Sequence, residues 1–181
     1  SDVYKRQVLR KAGYFPFIPT LENSSKVLCC GRTYLTNGLI NHAKKEVLNI
    51  LETYRPYLKN GISVVGLEPS CILSFRDEIP NMVKNKETDY LKNNSYTFEE
   101  LLSKHCEELK FKNLTKKVLL HGHCHQKAFD VVKPIENKLK NIKGAEVETI
   151  ETSCCGMAGS FGYNKDTYLS LIHISEPTRP C

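Results

Sequence analysis

ISVVGLEPSC (residues 62–71) and KVLLHGHC (residues 117–124) follow one order: an aliphatic run, a loop, and a cysteine. The first run is β-branched and apolar, which suits a buried parallel strand. The second reads as a strand entering a loop, within a strand segment over residues 116–123. A related order recurs elsewhere. LRKAGYFPFIP (9–19) and ENKLKNIKGAEVETIE (136–151) each run helix, glycine, strand, and each leads into a Cys-Cys-Gly triplet. Strands alternating with helices predict an α/β fold of two similar strand–helix units with parallel sheets. Cysteines then lie at the carboxyl ends of strands, where ligands of such sheets gather.

Between these landmarks the periodicity is mostly helical. Residues 37–61 place Leu39, Ala43, Val47, Ile50, Leu51 and Tyr54 on one face, with Pro56 and Gly61 closing the helix. Residues 8–19 read as a helix end, a turn at Gly13 and a short aromatic strand, and residues 72–79 as the start of another helix. Residues 81–115 read as a polar helical linker, with Thr97 and Glu100 spaced as a capping box. Residues 124–140 are helical with a break near Pro134, and residues 145–151 form a strand.

The triplets stand in KVLCCGRTYLTNG (26–38) and ETSCCGMAGSFGY (151–163). Cysteine is a common small core hydrophobe, and neighbours on a strand point to opposite faces. On a bend that Gly31 or Gly156 permits, both sulfurs of a pair turn toward one cavity. Soft metal centres, iron–sulfur clusters and zinc, take such thiolates. The candidate ligands are therefore Cys29 and Cys30, Cys154 and Cys155, with Cys71 and Cys124 at the other strand ends.

Composition narrows the function classes. The chain has eight cysteines, one of them the terminal Cys181, in two vicinal pairs and no small secreted framework, which argues against a disulfide scaffold. Net charge is +6, with 26 basic residues scattered among 20 acidic ones rather than clustered with aromatics, so nucleic-acid binding is not expected. No apolar run approaches the roughly 20 residues needed to span a bilayer. Residues 1–7 (SDVYKRQ) and 169–181 (LSLIHISEPTRPC) resemble translated sequencing-library adapters. The reading expects them to be non-native, and residues 8–168 to be an internal piece of a longer protein.

CCGRTYLTNGLINHAKK, VVGLEPSCILSFRDEIP, HGHCHQKA and SCCGMAGSFGY together resemble the cysteine-rich CCG domain of heterodisulfide reductases. The wording is closest to the C-terminal part of FAD-linked oxidases of the D-lactate and glycolate dehydrogenase type. The resemblance implies a first CCG repeat over residues 8–80, the helical linker 81–115, and a second repeat over residues 116–168. It implies an iron–sulfur cluster, of the 4Fe–4S type, with Cys29, Cys30 and Cys71 as ligands in the first repeat and Cys124, Cys154 and Cys155 in the second. Glu68 stands where the first cysteine of a Cys-x-x-Cys pair would be, which leaves the first site poor in thiols. Flavin and ferredoxin-like domains upstream, a quinone or similar electron acceptor, and a cytoplasmic place, peripheral at the inner face of the membrane, are further implications. No FAD-binding pattern is visible in residues 8–168.

Other residues keep open readings. His121, His123 and His125 alternate, so an extended segment would present all three to a metal; alternatively they donate hydrogen bonds to cluster sulfur, or are loop histidines without a role. Glu68 is either a carboxylate ligand or an anion at a helix N-terminus. Arg32 and Arg76 either compensate cluster charge or are solvated surface groups. Two other functions remain beside the electron-transfer module: a structural zinc or thiol domain for subunit docking, and thiol–disulfide catalysis of the heterodisulfide-reductase type.

Overall fold

A computed structural model describes residues 2–19, 27–105, 109–151 and 164–167. In chain order these residues form α1 (Asp2–Lys11), α2 (Arg32–Thr36), α3 (Ile40–Leu58), β1 (Val64–Gly66), α4 (Pro69–Ser74), α5 (Glu78–Met82) and α6 (Lys86–Asn94). Then follow β2 (Ser95–Thr97), α7 (Phe98–His105), β3 (Lys116–Leu120), α8 (Cys124–Ala128), α9 (Lys133–Lys140) and β4 (Ala145–Thr149). The fold is α/β, with two parallel two-stranded sheets: β1 beside β2, and β3 beside β4.

The side-chain alternation of β1 divides the interior. Val64 packs against a core built from Val47, Ile50, Leu51 and Leu58 of α3, Ile72 and Leu73 of α4, Ile79 of α5 and Leu91 of α6. Val65, on the opposite face, packs with Leu9 of α1 and Leu101 and Leu102 of α7. Successive residues of a strand point to opposite faces, so a three-residue strand joins two apolar layers. The helical spacing predicted for residues 37–61 is the inner face of α3: Ala43 and Val47 are fully buried, and Tyr54 packs at the margin. Leu39 instead occupies the N-cap and is exposed. Burying each large aliphatic side chain contributes about 1.5–3 kcal/mol, so the α3 face is the main anchor of this half.

The second sheet is more open. The β3–β4 register pairs Val118 with Val147 and Leu120 with Thr149. Alternate residues of both strands are exposed, Leu119 among them. The sheet is joined to the first half through helices: the Ser103 hydroxyl of α7 donates to the Pro134 carbonyl at the start of α9 (3.2 Å).

Several boundaries differ from the sequence reading. Residues 14–19 form no strand; Pro16 and Pro19 lack the N–H that a ladder needs. Pro56 does not end α3 but sits in its last turn, and the helix closes at Gly61 with φ +69°. The helix expected over 72–79 starts earlier, at Pro69, and is split by a turn before α5. The segment read as helical linker contains β2, the partner that β1 requires. The capping box was legible: the Glu100 carboxylate accepts from the Thr97 N–H (2.8 Å) and Thr97 Oγ1 accepts from the Glu100 N–H (3.3 Å). The break between α8 and α9 also falls as read, with Pro134 in the first turn of α9.

Arg76 is not a solvated arginine. Its guanidinium forms a fork on Glu100 (2.9 and 2.8 Å) and donates twice to the Ser95 carbonyl (2.9 and 2.6 Å). The side chain is 16% exposed, and Glu100 12%. One residue thereby ties the α4–α5 turn to β2 and α7. Burial raises the Glu100 carboxyl, but hydrogen bonds from Arg76 and Thr97 outweigh it and hold the group below its ordinary value. A depressed carboxylate contributes stability that is complete above the unfolded value of about 4.5 and is lost as pH falls through the folded one. Arg76→Ala is expected to cost about 2–4 kcal/mol, because it strands a buried carboxylate and a carbonyl. Urea melts should show that loss at neutral pH and a difference from the parent that shrinks as pH falls below the unfolded value of about 4.5 and through the lower folded one, as the carboxyl takes up its proton.

Candidate metal centre

Gly31 determines how the first triplet meets the fold. It has φ +77°, and a Cβ there would lie 3.0 Å from the Ala43 carbonyl oxygen of α3. The chain therefore turns sharply after Cys30 and packs its backbone directly on α3. Gly66 does the same for Cys71. A Cβ on Gly66 would lie 2.1 Å from the Ile72 Cβ, so α4 folds back against the end of β1 only because that position has no side chain. Cys71 sits in the first turn of α4, directly before Ile72.

These two turns bring Cys30 and Cys71, 41 residues apart, into sulfur–sulfur contact at 3.1 Å. Both are partly buried, and Cys30 packs at the margin of the larger core. Cys29 accepts a hydrogen bond from the Gly31 N–H (3.4 Å). The shared proton lowers the Cys30 thiol to about 6: the hydrogen bond from Cys71 is the largest cause, burial opposes it, and the Arg32 N–H and guanidinium assist. Cys71 is pushed up, because it holds that proton, is half-buried, and faces the charges of Cys30, Glu68 and Cys29.

Glu68 caps α4. Its carboxylate accepts from the Ser70 N–H (3.1 Å) and hydroxyl (2.7 Å). Burial raises its carboxyl, but the Ser70 bonds and the nearby His123 and His125 bring it below the ordinary value. The second unit repeats the device. His123 caps α8, with Nδ1 accepting from the His125 N–H (3.2 Å), while Gln126 Oε1 accepts from the His123 N–H (3.0 Å). Gly122 leaves room that a Cβ would take from Val132 (2.7 Å). Cys124 is the first residue of α8.

The histidines do not share an extended segment, because the chain turns helical at Cys124. His121 is exposed in the loop after β3. The rings of His123 and His125 stack with centroids 5.2 Å apart. His125 Nδ1 is buried with no hydrogen-bond partner among the described residues. Burial, then the charges of Arg32 and His123, lower the His125 imidazole below its ordinary value. Arg32, in the first turn of α2, forms an ion pair with Glu78 of α5. Its charge acts on both Cys30 and His125.

Among the described residues, no three or more His, Cys, Asp and Glu side chains converge closely enough to hold a metal ion. Cys154, Cys155 and Gly156 lie outside those residues, as do Cys106 and Met157. The described donors are soft and sulfur-rich, and one thiol is readily ionised at neutral pH. That chemistry fits part of a donor set for an iron–sulfur cluster or zinc. A cleft of about 260 Å³, lined by Tyr14, Phe17, Tyr54, Tyr57 and Val64, shares no residue with this thiol cluster.

Comparison with known proteins points to redox enzymes. The chain is 29% identical over 157 residues to one subunit of the anaerobic glycerol-3-phosphate dehydrogenase of Escherichia coli (strain K12). That match covers 84% of this chain and 39% of the relative. It is 28% identical over 141 residues to D-2-hydroxyglutarate dehydrogenase of Haemophilus influenzae, covering 74% of this chain and 14% of the enzyme. It is 27% identical over 158 residues to lactate utilization protein A of Bacillus subtilis (strain 168), covering 82% of this chain and 62% of that protein. The chain thus spans less than two thirds of each of these relatives. No protein-family model matches it, and no solved structure matches it with significance.

The shared proton makes a direct prediction. In metal-free protein, alkylation of Cys30, followed by peptide mass spectrometry, should rise with a midpoint near pH 6. In Cys71→Ser the midpoint should move up toward the ordinary thiol value of 9.0, with Cys29 as the internal reference. An unchanged midpoint would show that the Cys71 contact does not set the reactivity.

Proposed function

We propose that this chain is the cysteine-rich electron-transfer module of a larger flavin-dependent dehydrogenase of 2-hydroxy acids, of the D-lactate or glycolate type. The observation that carries the reading is the Cys30–Cys71 contact: a triplet cysteine meets the strand-end cysteine of GLEPSC across 41 residues of sequence. Core packing alone gives no reason for two partly buried thiols to meet at a turn that two glycines are needed to form. Resemblance to CCG domains and similarity to dehydrogenase components support the same reading.

In this proposal Cys29, Cys30 and Cys71 contribute to one cluster site, and Cys124, Cys154 and Cys155 to a second. The cluster, of the 4Fe–4S type, supplies one-electron transfer when bound. The chain's residues hold and shield it. Gly31 and Gly66 bring the thiols together, backbone N–H groups of Gly31 and Arg32 donate to sulfur, and Arg32 offsets negative charge. The His123–His125 stack and the Glu68 cap line the approach between α4 and α8. A flavin domain of the same protein delivers electrons, and a quinone or similar carrier receives them. The module works on the cytoplasmic side, at the membrane periphery. Among the described residues no helix is long and apolar enough to cross a membrane.

Anaerobic purification should yield iron and acid-labile sulfide in equal amounts, with a paramagnetic signal on redox titration. Cys30→Ser and Cys71→Ser should each lose about half of the iron, the share of the first site, while circular dichroism stays near the parent. Stoichiometric zinc without a redox signal would replace this reading with a structural docking domain. Turnover of a disulfide substrate that vanishes in Cys154→Ser with the cluster retained would replace it with thiol–disulfide catalysis.

A further inference from the structure

The thiol contact has a covalent chemistry of its own. Disulfide formation needs two sulfurs whose backbones already stand close, since a bond of about 2.05 Å closes only over a narrow range of backbone separations. Cys30 and Cys71 meet at 3.1 Å. They come from segments fixed independently, Cys30 by the Gly31 turn on α3 and Cys71 by the fold-back of α4 on β1. The remaining distance to such a bond is about 1 Å. Both sulfurs are only partly buried, so a small oxidant reaches them.

We infer that the metal-free form carries an oxidation site, in which Cys30 and Cys71 close a reversible disulfide in exchange with a low-molecular-weight disulfide such as oxidised glutathione. One protein sulfur attacks the oxidant, forming a mixed disulfide and releasing one small thiol. The second protein sulfur attacks that mixed disulfide, closing the Cys30–Cys71 bond and releasing the other small thiol. The protein loses two electrons and two protons, and the oxidant gains them as two thiols. The bond removes two sulfur donors at once, so cluster assembly at the first site depends on the thiol redox state. The link also ties the α2 turn to α4, which holds the empty module in its folded geometry. This consequence rests on the cluster reading above, whereas the disulfide itself does not.

The test uses the full 181-residue chain, stripped of metal by chelator and equilibrated in glutathione redox buffers. After alkylation and trypsin digestion, the oxidised protein should contain VLCCGR (27–32) linked to NGISVVGLEPSCILSFR (60–76), with one alkylated cysteine left in the first peptide. Dithiothreitol should abolish the link. Cys29→Ser should retain it, and Cys30→Ser should lose it and accumulate a glutathione adduct on Cys71. A link from Cys29 or Cys124 in place of Cys30, or glutathione adducts alone on the unsubstituted protein, would overturn the inference. Circular dichroism of each variant identifies any that fail to fold, and the parent digest decides the pairing without them.

Iron uptake then separates the two claims. Reduced protein incubated anaerobically with ferrous iron and sulfide should take up iron, and the disulfide form should take up about half as much, the share of the second site. A link that forms in protein unable to take up iron when reduced would remove the cluster reading and leave the disulfide. Iron uptake by protein that forms no link would remove the disulfide and leave the cluster reading.

Discussion

The approach of α4 to the end of β1 is the constraint on which the rest of the site depends. Gly66 closes the strand, and the two residues after it lead straight to the Glu68 cap and the helix. With a Cβ at position 66 the Ile72 side chain would have to leave the larger core, where it is 2% exposed beside Leu51 and Leu73. The same packing that buries Ile72 therefore sets the direction of Cys71, its chain neighbour. Core formation and thiol placement are one event here. The Arg76 fork reinforces it from the far end of α4, by fixing that helix to β2 and to the first turn of α7.

The second unit uses the same construction with different chemistry at the cap. A strand, a glycine without room for a side chain, and a helix whose capping side chain accepts from its second N–H occur in both. In the first unit the cap is a carboxylate, and in the second an imidazole. Glu68 occupies the position at which a CCG pattern would carry another cysteine, and one of its oxygens, Oε1, accepts from both the Ser70 N–H and hydroxyl. An anion there raises Cys71 rather than helping it ionise. The two units are thus similar in backbone and unequal in electrostatics.

How much of this was legible in the sequence follows from the range of each interaction. Local patterns read well: the α3 face from its spacing, β1, β3 and β4 from aliphatic runs, the Thr97–Glu100 box and the break before α9 from single residues. Strand β2 escaped because SYT is three residues between two helices and owes its conformation to the ladder with β1. The aromatic run at residues 14–19 looked like a strand because propensity says nothing about whether a partner exists. Within the site, the triplets marked the thiols, but the choice of partner did not follow from them. Cys30 meets Cys71 because of two glycine turns 35 residues apart, and the Arg32–Glu78 pair and the His123–Gln126 cap are likewise contacts that only the folded chain assembles.

The electrostatics of the pair explain why a cation belongs beside it. Two thiolates at 3.1 Å repel strongly, so near neutral pH the pair keeps one proton between two sulfurs: Cys30 ionises at about 6 and Cys71 stays protonated. Arg32, whose charge acts on Cys30, already faces Glu78, and burial holds His125 toward its neutral form. In the proposed cluster site, a soft metal ion bound at this pair would displace the shared proton, so that binding would release it and strengthen as pH rises. The alternative way to relieve the same repulsion is to remove the electrons, joining the sulfurs in a bond. The proposed metal binding and the proposed disulfide closure are therefore competing solutions to one charge problem, because both draw on the same two sulfurs held in contact at 3.1 Å.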